Sequence, residues 1–227
     1  MVGKVSVMDL VIIGAGGFGR EVLDVAREMD LHGSTAGRRV DVLGFIDDDP
    51  DLDRLGRIKA EHLGGVSTLP EYAGASFVVG VGDPVVRERL AAAAAASGLT
   101  PAHRLLHPSA SIGDDVKIGA GSIICAGVRV TTNVRIGTHV HLNLNATVGH
   151  DAVVEDYVTV NPLAAVSGDV LLRRGSMVGT TACVNQGLEV GTGAIVGAGA
   201  AVIRDVTAGR TVVGVPARER GQVITRG

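Results

Sequence analysis

From Ile112 a large aliphatic side chain returns at every sixth position: Ile118, Ile124, Val130, Ile136, Leu142, Val148, Val154, Val160, Val166, Leu172, Val178, Val184, Val190, Val196 and Val202 follow without a miss. Two residues before each stands a small or aliphatic partner, beginning Ala110, Val116, Ser122, Val128, Val134, Val140, Ala146 and Ala152. Residues two apart on a strand share a face, so each hexad buries one large and one small side chain. Its Gly, Asn, Asp and Thr residues face outward or turn corners. An amphipathic helix would need spacings of three and four. The period therefore predicts a parallel β-helix of hexapeptide repeats. The pattern stops after Asp205, and the closing RERGQVITRG reads only as a polar tail.

Upstream the pattern is different. DLVIIGAGGFGREVLDVAREM predicts a strand over 10–13, a turn through Gly14, Gly16, Gly17 and Gly19, and a helix with Val22, Leu23, Val25 and Ala26 apolar. That order presents bare N–H groups at a helix N-terminus, where the dipole favours a phosphate. The same glycines could serve only to pack the helix on the strand. A second strand, VDVLGFI, ends in Asp47, Asp48 and Asp49, and a third, SFVVGVG, ends at Gly82 before the helical PVVRERLAAAAAA. These ends fall at the carboxyl edge of a parallel sheet, where doubly wound folds bind ligands. The acidic cluster faces either a ribose or base edge there, or only solvent. Three or four strands are too few for the two halves of a dinucleotide fold, so a mononucleotide is expected.

Composition narrows the partners. The 227 residues carry a formal charge of −3, which argues against nucleic acid. Apolar residues make up 46% but aromatics only 2%, so Val, Ile, Leu and Ala must fill a narrow, repetitive interior. No apolar run approaches the ~18 residues of a membrane span. Asp9 interrupts the apolar start and a glycine loop stands where a signal-peptidase site would be, so a cytoplasmic protein is expected. Cys125 and Cys183 set no disulfide framework and are expected as reduced thiols.

The runs IGAGSIICAGVRV and VGTGAIVGAGAAVIRDV and the closing VVGVPAR resemble the left-handed β-helix acyltransferases of the hexapeptide-repeat superfamily, whose coils hold three hexads and build a triangular prism. With VIIGAGGFGREV, GFIDDD, HPSASIG and VGHD added, the whole chain is similar to the bacterial branch that acetylates amino groups on nucleotide-linked amino sugars, together with its sialic acid O-acetyltransferase-like relatives. The resemblance implies an N-terminal small α/β Rossmann-like domain for the nucleotide-sugar, residues 1–106. A left-handed parallel β-helix with a short C-terminal tail follows, residues 107–227. It also implies acetyl-CoA as cosubstrate, no metal, and a homotrimer with acetyl-CoA lying in a groove between neighbouring prisms.

With three hexads per coil, residues 18 apart stack. His150 comes two after the inward Val148, hence outward and near a corner, with Thr132 and Gly168 as stacked neighbours. Gly168 is expected to leave room for a ligand and to offer its N–H to an oxyanion. Among the other histidines, His32 and His62 fall in loops and His103 and His107 at the domain junction. His139 and His141 point outward on the prism without a following carboxylate. His150 has one, Asp151, which could raise the imidazole's basicity or fix its tautomer. The resemblance matches this pair to the family's catalytic histidine and acidic neighbour, and implies direct transfer. The sugar amine loses its proton to the imidazole as it attacks the thioester, and a histidine, with an ordinary pKa of ~6.5, suits that role. By the same resemblance Thr159, Gly168, Thr180 and Ala198 line acetyl-CoA, Thr159 standing where relatives can carry a histidine. Gly16, Gly17, Phe18, Asp47, Asp48 and Gly82 hold the nucleotide-sugar, with UDP, dTDP and GDP left open.

The alternative is an O-acetyltransferase acting on a sialic acid or another hydroxyl acceptor, since the same base serves a hydroxyl. A metal-dependent hydratase on such a prism needs three converging histidines, which this spacing supplies poorly. A non-catalytic scaffold would show regular ranks of Thr or Ser, and an NAD enzyme would need a longer first domain.

Overall fold

The computed structural model describes residues 6–31 and 38–220. His32 and the end of the C-terminal tail lie outside them. The first part contains β1 (Ser6–Ile13), α1 (Gly17–Leu31), β2 (Arg38–Ile46), α2 (Leu52–Arg57), β3 (His62–Gly64), β4 (Ser76–Val79), α3 (Pro84–Ala96) and β5 (Thr100–Pro101). The strands form one parallel sheet in the order β3-β2-β1-β4-β5. Five strands stand where the pattern predicted three or four, because β3 and β5 are too short to show a period. Leu10 and Ile12 of β1 pack toward α1. Val11 and Ile13 pack with Ala91 and Ala94 of α3. A strand buried on both faces reads as a continuous apolar run, as LVII does.

The glycine turn divides into two functions. A Cβ on Gly19 would come within 1.9 Å of the Gly14 carbonyl oxygen, and Gly14 itself takes φ +100°, so these two let α1 pack against the strand. Around Gly16 and Gly17 there is open space. No acidic residue occupies the first turn of α1 itself. In contrast, α3 is capped by Asp83, whose carboxylate accepts from Val85 N at 2.8 Å and Val86 N at 3.0 Å.

The second part is a left-handed parallel β-helix of two-residue strands on three faces. Face I carries Leu105–Leu106, Ile123–Ile124, His141–Leu142, Thr159–Val160, Met177–Val178 and Ile195–Val196. Face II includes Thr147–Val148 and Ala165–Val166, and face III includes Val153–Val154 and Leu171–Leu172. Strands 18 residues apart pair, as Arg129 with Thr147 and Thr147 with Ala165. The large inward residues from Ile124 to Val202 are all buried and form one continuous core, with Leu188 partly buried against it. Each corner needs a left-handed residue, and from Asp115 one recurs every six positions, including Asn133, Asn145, Asp151 and Asp169. Gly, Asn and Asp tolerate that conformation, which explains the outward composition of the hexads.

The prism does not end at Asp205. Val206 bridges to Val190 and Thr211–Val213 pairs with Ile195–Val196, so the last coil spans 16 residues instead of 18 and falls out of the six-residue count. Arg218–Glu219 then folds back antiparallel on Val212–Val213 and covers the open end of face I. Both cysteines are free, and burial pushes the Cys125 thiol up to about 12. Among the described residues no helix is long and apolar enough to cross a membrane.

Candidate active site

His150 follows Val148 of face II and precedes Val153 of face III, so it stands on the corner opposite face I. Its side chain is half exposed, and its Nδ1 lies 2.8 Å from Asp151 Oδ2. A carboxylate only accepts, so Nδ1 carries the proton and Nε2 is left with a free lone pair. Asp151 has φ +61° and fills the left-handed corner position. Its second oxygen accepts from Asn133 Nδ2, one coil earlier, at 3.2 Å. The hydrogen bond to His150, and then the one from Asn133, hold the Asp151 carboxyl below the usual carboxylate range. An Asn–Asp–His relay therefore fixes both the tautomer and the ring orientation. Asn133 was missed from the sequence, although its place 18 residues before Asp151 marks it as a stacked neighbour.

Gly168 lies against this ring. A Cβ there would come within 2.4 Å of His150 Nε2 and 2.5 Å of Cε1. Gly168 is buried, and its missing side chain leaves the room in which the imidazole sits. Gly168→Ala is accordingly expected to push the ring off its position and to lower kcat roughly 10–10²-fold, the cost of a displacement near 1 Å. Acetyl transfer measured beside a thermal melt checks this, and a variant with full activity would show that the ring needs no such seat.

At the sheet edge, Ala15 N donates to Asp47 Oδ2 at 2.7 Å and Asp49 N to Asp47 Oδ1 at 3.0 Å. Asp48 Oδ1 accepts from Val66 N at 2.7 Å. The two aspartates thus shape the loops that flank the glycine turn and spend part of their hydrogen-bonding capacity on backbone. Among the described residues the N–H groups of Gly16, Gly17 and Gly82 have no protein partner. Gly16, Gly17, Phe18, Asp47, Asp48 and Gly82 lie together along the carboxyl ends of β1, β2 and β4.

The expected acetyl-CoA residues separate. Gly168 is on the His150 corner, while Thr180 and Ala198, both exposed, stack on the corner between faces I and II. Thr159 lies on neither corner. It sits on face I, 1% exposed, accepting from Arg87 Nη2 at 3.0 Å and donating to the Gly82 carbonyl at 3.3 Å. Thr159 thus stands at the junction of the two parts.

That junction was invisible in the sequence. His139 and His141 do point away from the prism axis, yet into the first part and not into solvent, at 5% and 1% exposure. His139 stacks between Phe77 and Tyr157, with ring centroids at 5.8 and 5.3 Å. Arg174 covers the far side of Tyr157 and pairs with Glu88 of α3 at 2.6 Å. Arg87, fully buried, lies 2.7 Å from His141 Nδ1. A clue was available in retrospect. His139 and Tyr157 occupy left-handed corner positions, where a ring is unfavourable unless something packs on it. No cluster of three or more metal-ligating side chains occurs among the described residues.

Comparison with known proteins follows the same two parts. The family described as PglD N-terminal domain matches residues 9–94, and the bacterial transferase hexapeptide (six repeats) matches residues 109–144. The chain is 32% identical over 213 residues to a GDP-perosamine N-acetyltransferase of Escherichia coli, covering 92% of this chain and 94% of that one. It is similar to a perosamine N-acetyltransferase from Caulobacter crescentus, solved as a histidine-to-asparagine mutant with CoA and GDP-perosamine. There the identity is 29% and the TM-score 0.83, over 94% of this chain and 97% of that one. The acetyltransferase domain of PglB from Neisseria gonorrhoeae, solved with acetyl coenzyme A, gives 30% identity and a TM-score of 0.80 over 93% and 98% of the two chains.

Proposed function

This chain belongs to the hexapeptide-repeat acyltransferases that N-acetylate nucleotide-linked amino sugars, and from that premise we propose that it acetylates a GDP-linked amino sugar of the perosamine class, with His150 as the base. Acetyl-CoA is the acyl donor. The observation that carries the residue assignment is the half-exposed imidazole whose Nδ1 is tied to Asp151 and whose Nε2 is free. Nothing in these relatives favours a hydroxyl acceptor.

In the reaction, the neutral sugar amine attacks the thioester carbonyl and His150 Nε2 takes the proton that the nitrogen sheds. Asp151 stabilises the imidazolium that forms. The Gly168 N–H, which has no partner among the described residues, is the donor for the carbonyl oxygen as it becomes negative. Collapse of the tetrahedral adduct expels the CoA thiolate and leaves the acetamido sugar. The proton held by His150 is available to that thiolate. At the sheet edge the open glycine N–H groups take the diphosphate, and Asp47 and Asp48 border the nucleoside.

The reading includes a trimer. A single chain packs its glycine edge against face I, while its own His150 stands on the opposite corner. Thr180 and Ala198 likewise stand on a different corner from Gly168, so one prism cannot line one groove with all three. A neighbouring copy turned about a threefold axis would bring one chain's His150 corner to another chain's Thr180 corner. The division into a nucleotide-binding part, 1–106, and an acyl-transfer part, 107–227, belongs to the same reading, with Leu105–Leu106 already pairing in face I, as does a cytoplasmic site of action beside the acetyl-CoA pool. It is supported by the parallel sheet ending at Pro101.

Thiol release from acetyl-CoA, followed with GDP-perosamine, UDP- and dTDP-linked amino sugars and a free amino sugar, tests this. Release is expected with the GDP-linked amine and not with the free sugar. Preference for a UDP- or dTDP-linked amine would reassign the nucleotide, and release only with hydroxyl acceptors would overturn the reaction.

A further inference from the structure

Arg87 is a full charge in the interior. It is 0% exposed, and among the described residues no carboxylate pairs with it. Its Nη1 donates to the carbonyls of Val81 at 3.1 Å and Gly82 at 3.3 Å and to His141 Nδ1 at 2.7 Å. Its Nη2 donates to the Tyr157 carbonyl, to Val158 O at 3.4 Å and to Thr159 Oγ1 at 3.0 Å. Nη1 thus joins the loop after β4 to His141 of face I, and Nη2 holds Tyr157, Val158 and Thr159 of the prism. Thr159 closes the figure by donating to the same Gly82 carbonyl. His141 extends it to the glycine turn, since its ring packs against Phe18 in a tilted arrangement, 42° between planes and 4.6 Å between centroids.

Burying an unpaired cation costs several kcal/mol, and an apolar residue would join two packed parts more cheaply. What the fork supplies is direction. By pulling the Val81 and Gly82 carbonyls inward it turns that stretch of backbone so that the Gly82 N–H stays open at the sheet edge. Through His141 and Phe18 it supports the turn bearing Gly16 and Gly17. We propose that Arg87, acting through Thr159 and His141, is a positioning residue that holds the two loops of the acceptor-nucleotide edge in binding geometry on the prism. This rests on the reading of that edge as the acceptor site.

The test is calorimetric binding of GDP and of acetyl-CoA to Arg87→Lys, Thr159→Val and Thr159→Ser, with steady-state KM for the nucleotide-linked amine. Lys keeps the charge without the fork, and Ser keeps the hydroxyl. Arg87→Lys and Thr159→Val are expected to bind GDP about tenfold more weakly, the loss of roughly one oriented hydrogen bond. Acceptor KM should rise in parallel, while acetyl-CoA affinity stays within about twofold. Thr159→Ser is expected to restore GDP binding. Unchanged GDP affinity, equal loss for both ligands, or a serine variant as weak as valine would each overturn the positioning role. If the lysine variant fails to fold in a thermal melt, the Val and Ser pair decides alone. Wild type that binds neither GDP nor UDP sinks the acceptor reading and the positioning with it. Wild type that binds GDP normally, with unaffected variants, sinks only the positioning.

Discussion

His150→Ala is expected to lower kcat by about 10²–10⁴-fold, the range that a positioned general base contributes, while the melting curve and both KM values stay close to wild type. That loss corresponds to roughly 3–5 kcal/mol in the barrier, which makes it the largest single effect foreseen for a residue that the fold does not need. The side chain is half exposed, its hydrogen bond is to its own neighbour, and the corner is built by the backbone and Asp151. The Asp151 N–H donation to Thr132 O and the Asp169 N–H donation to His150 O persist whatever stands at position 150. Alanine therefore removes the lone pair and little else. Initial rates of thiol release over a range of both substrates, beside a thermal melt, measure it. A kcat within threefold of wild type would move the base elsewhere, and a collapsed melt would make the imidazole structural.

The prism was legible because its core repeats. Each hexad places the same chemistry in the same place, so sixteen weak signals add into one, and the corner residues repeat with the same period. The last coil escaped because it is two residues short, and a strict count of six ends where the coil contracts. His150 and Asp151 were legible because a histidine followed by an acid interrupts a repeat that does not require it. The junction was not. In PVVRERL, Arg87 reads as the solvent side of a helix, and only the docking of α3 on face I buries it. Thr159 and His141 are stacked one coil apart on a face that looks like any other in sequence. The resemblance that implies a cofactor contact at Thr159 carries no sign of the contact this position makes between the two parts.

Those buried histidines make stability fall on the acid side. Burial first, and then the charge of Arg87, push His139 down to about 4, against some help from Asp156. The same two causes, in that order, hold His141 well below the usual range. The bond from Arg87 to His141 Nδ1 requires a lone pair on that nitrogen, so protonation there breaks it. A base whose folded pKa is depressed contributes its full stability above the unfolded value of ~6.5. As the pH drops below that, the unfolded chain binds protons that the folded chain refuses, and stability falls until the folded value is reached. His139 alone is expected to cost about 2–3 kcal/mol by pH 4.5, with His141 adding in the same direction. The carboxylates held low by partners, Asp115 by Arg135 and Glu189 by Arg173, act in a lower window, because their stabilisation is lost only below the unfolded carboxylate range near 4. Urea titrations from pH 7.5 to 4.5 on wild type and His139→Asn separate the two, since asparagine accepts the φ of +52° at this corner and does not titrate. The wild type should lose about 2–3 kcal/mol more than the variant across that range. Equal losses would mean that the His139 imidazole takes up its proton inside the folded junction as readily as in the unfolded chain. The sealed contact among Phe77, Tyr157 and Arg87 would then not be what holds the two parts together.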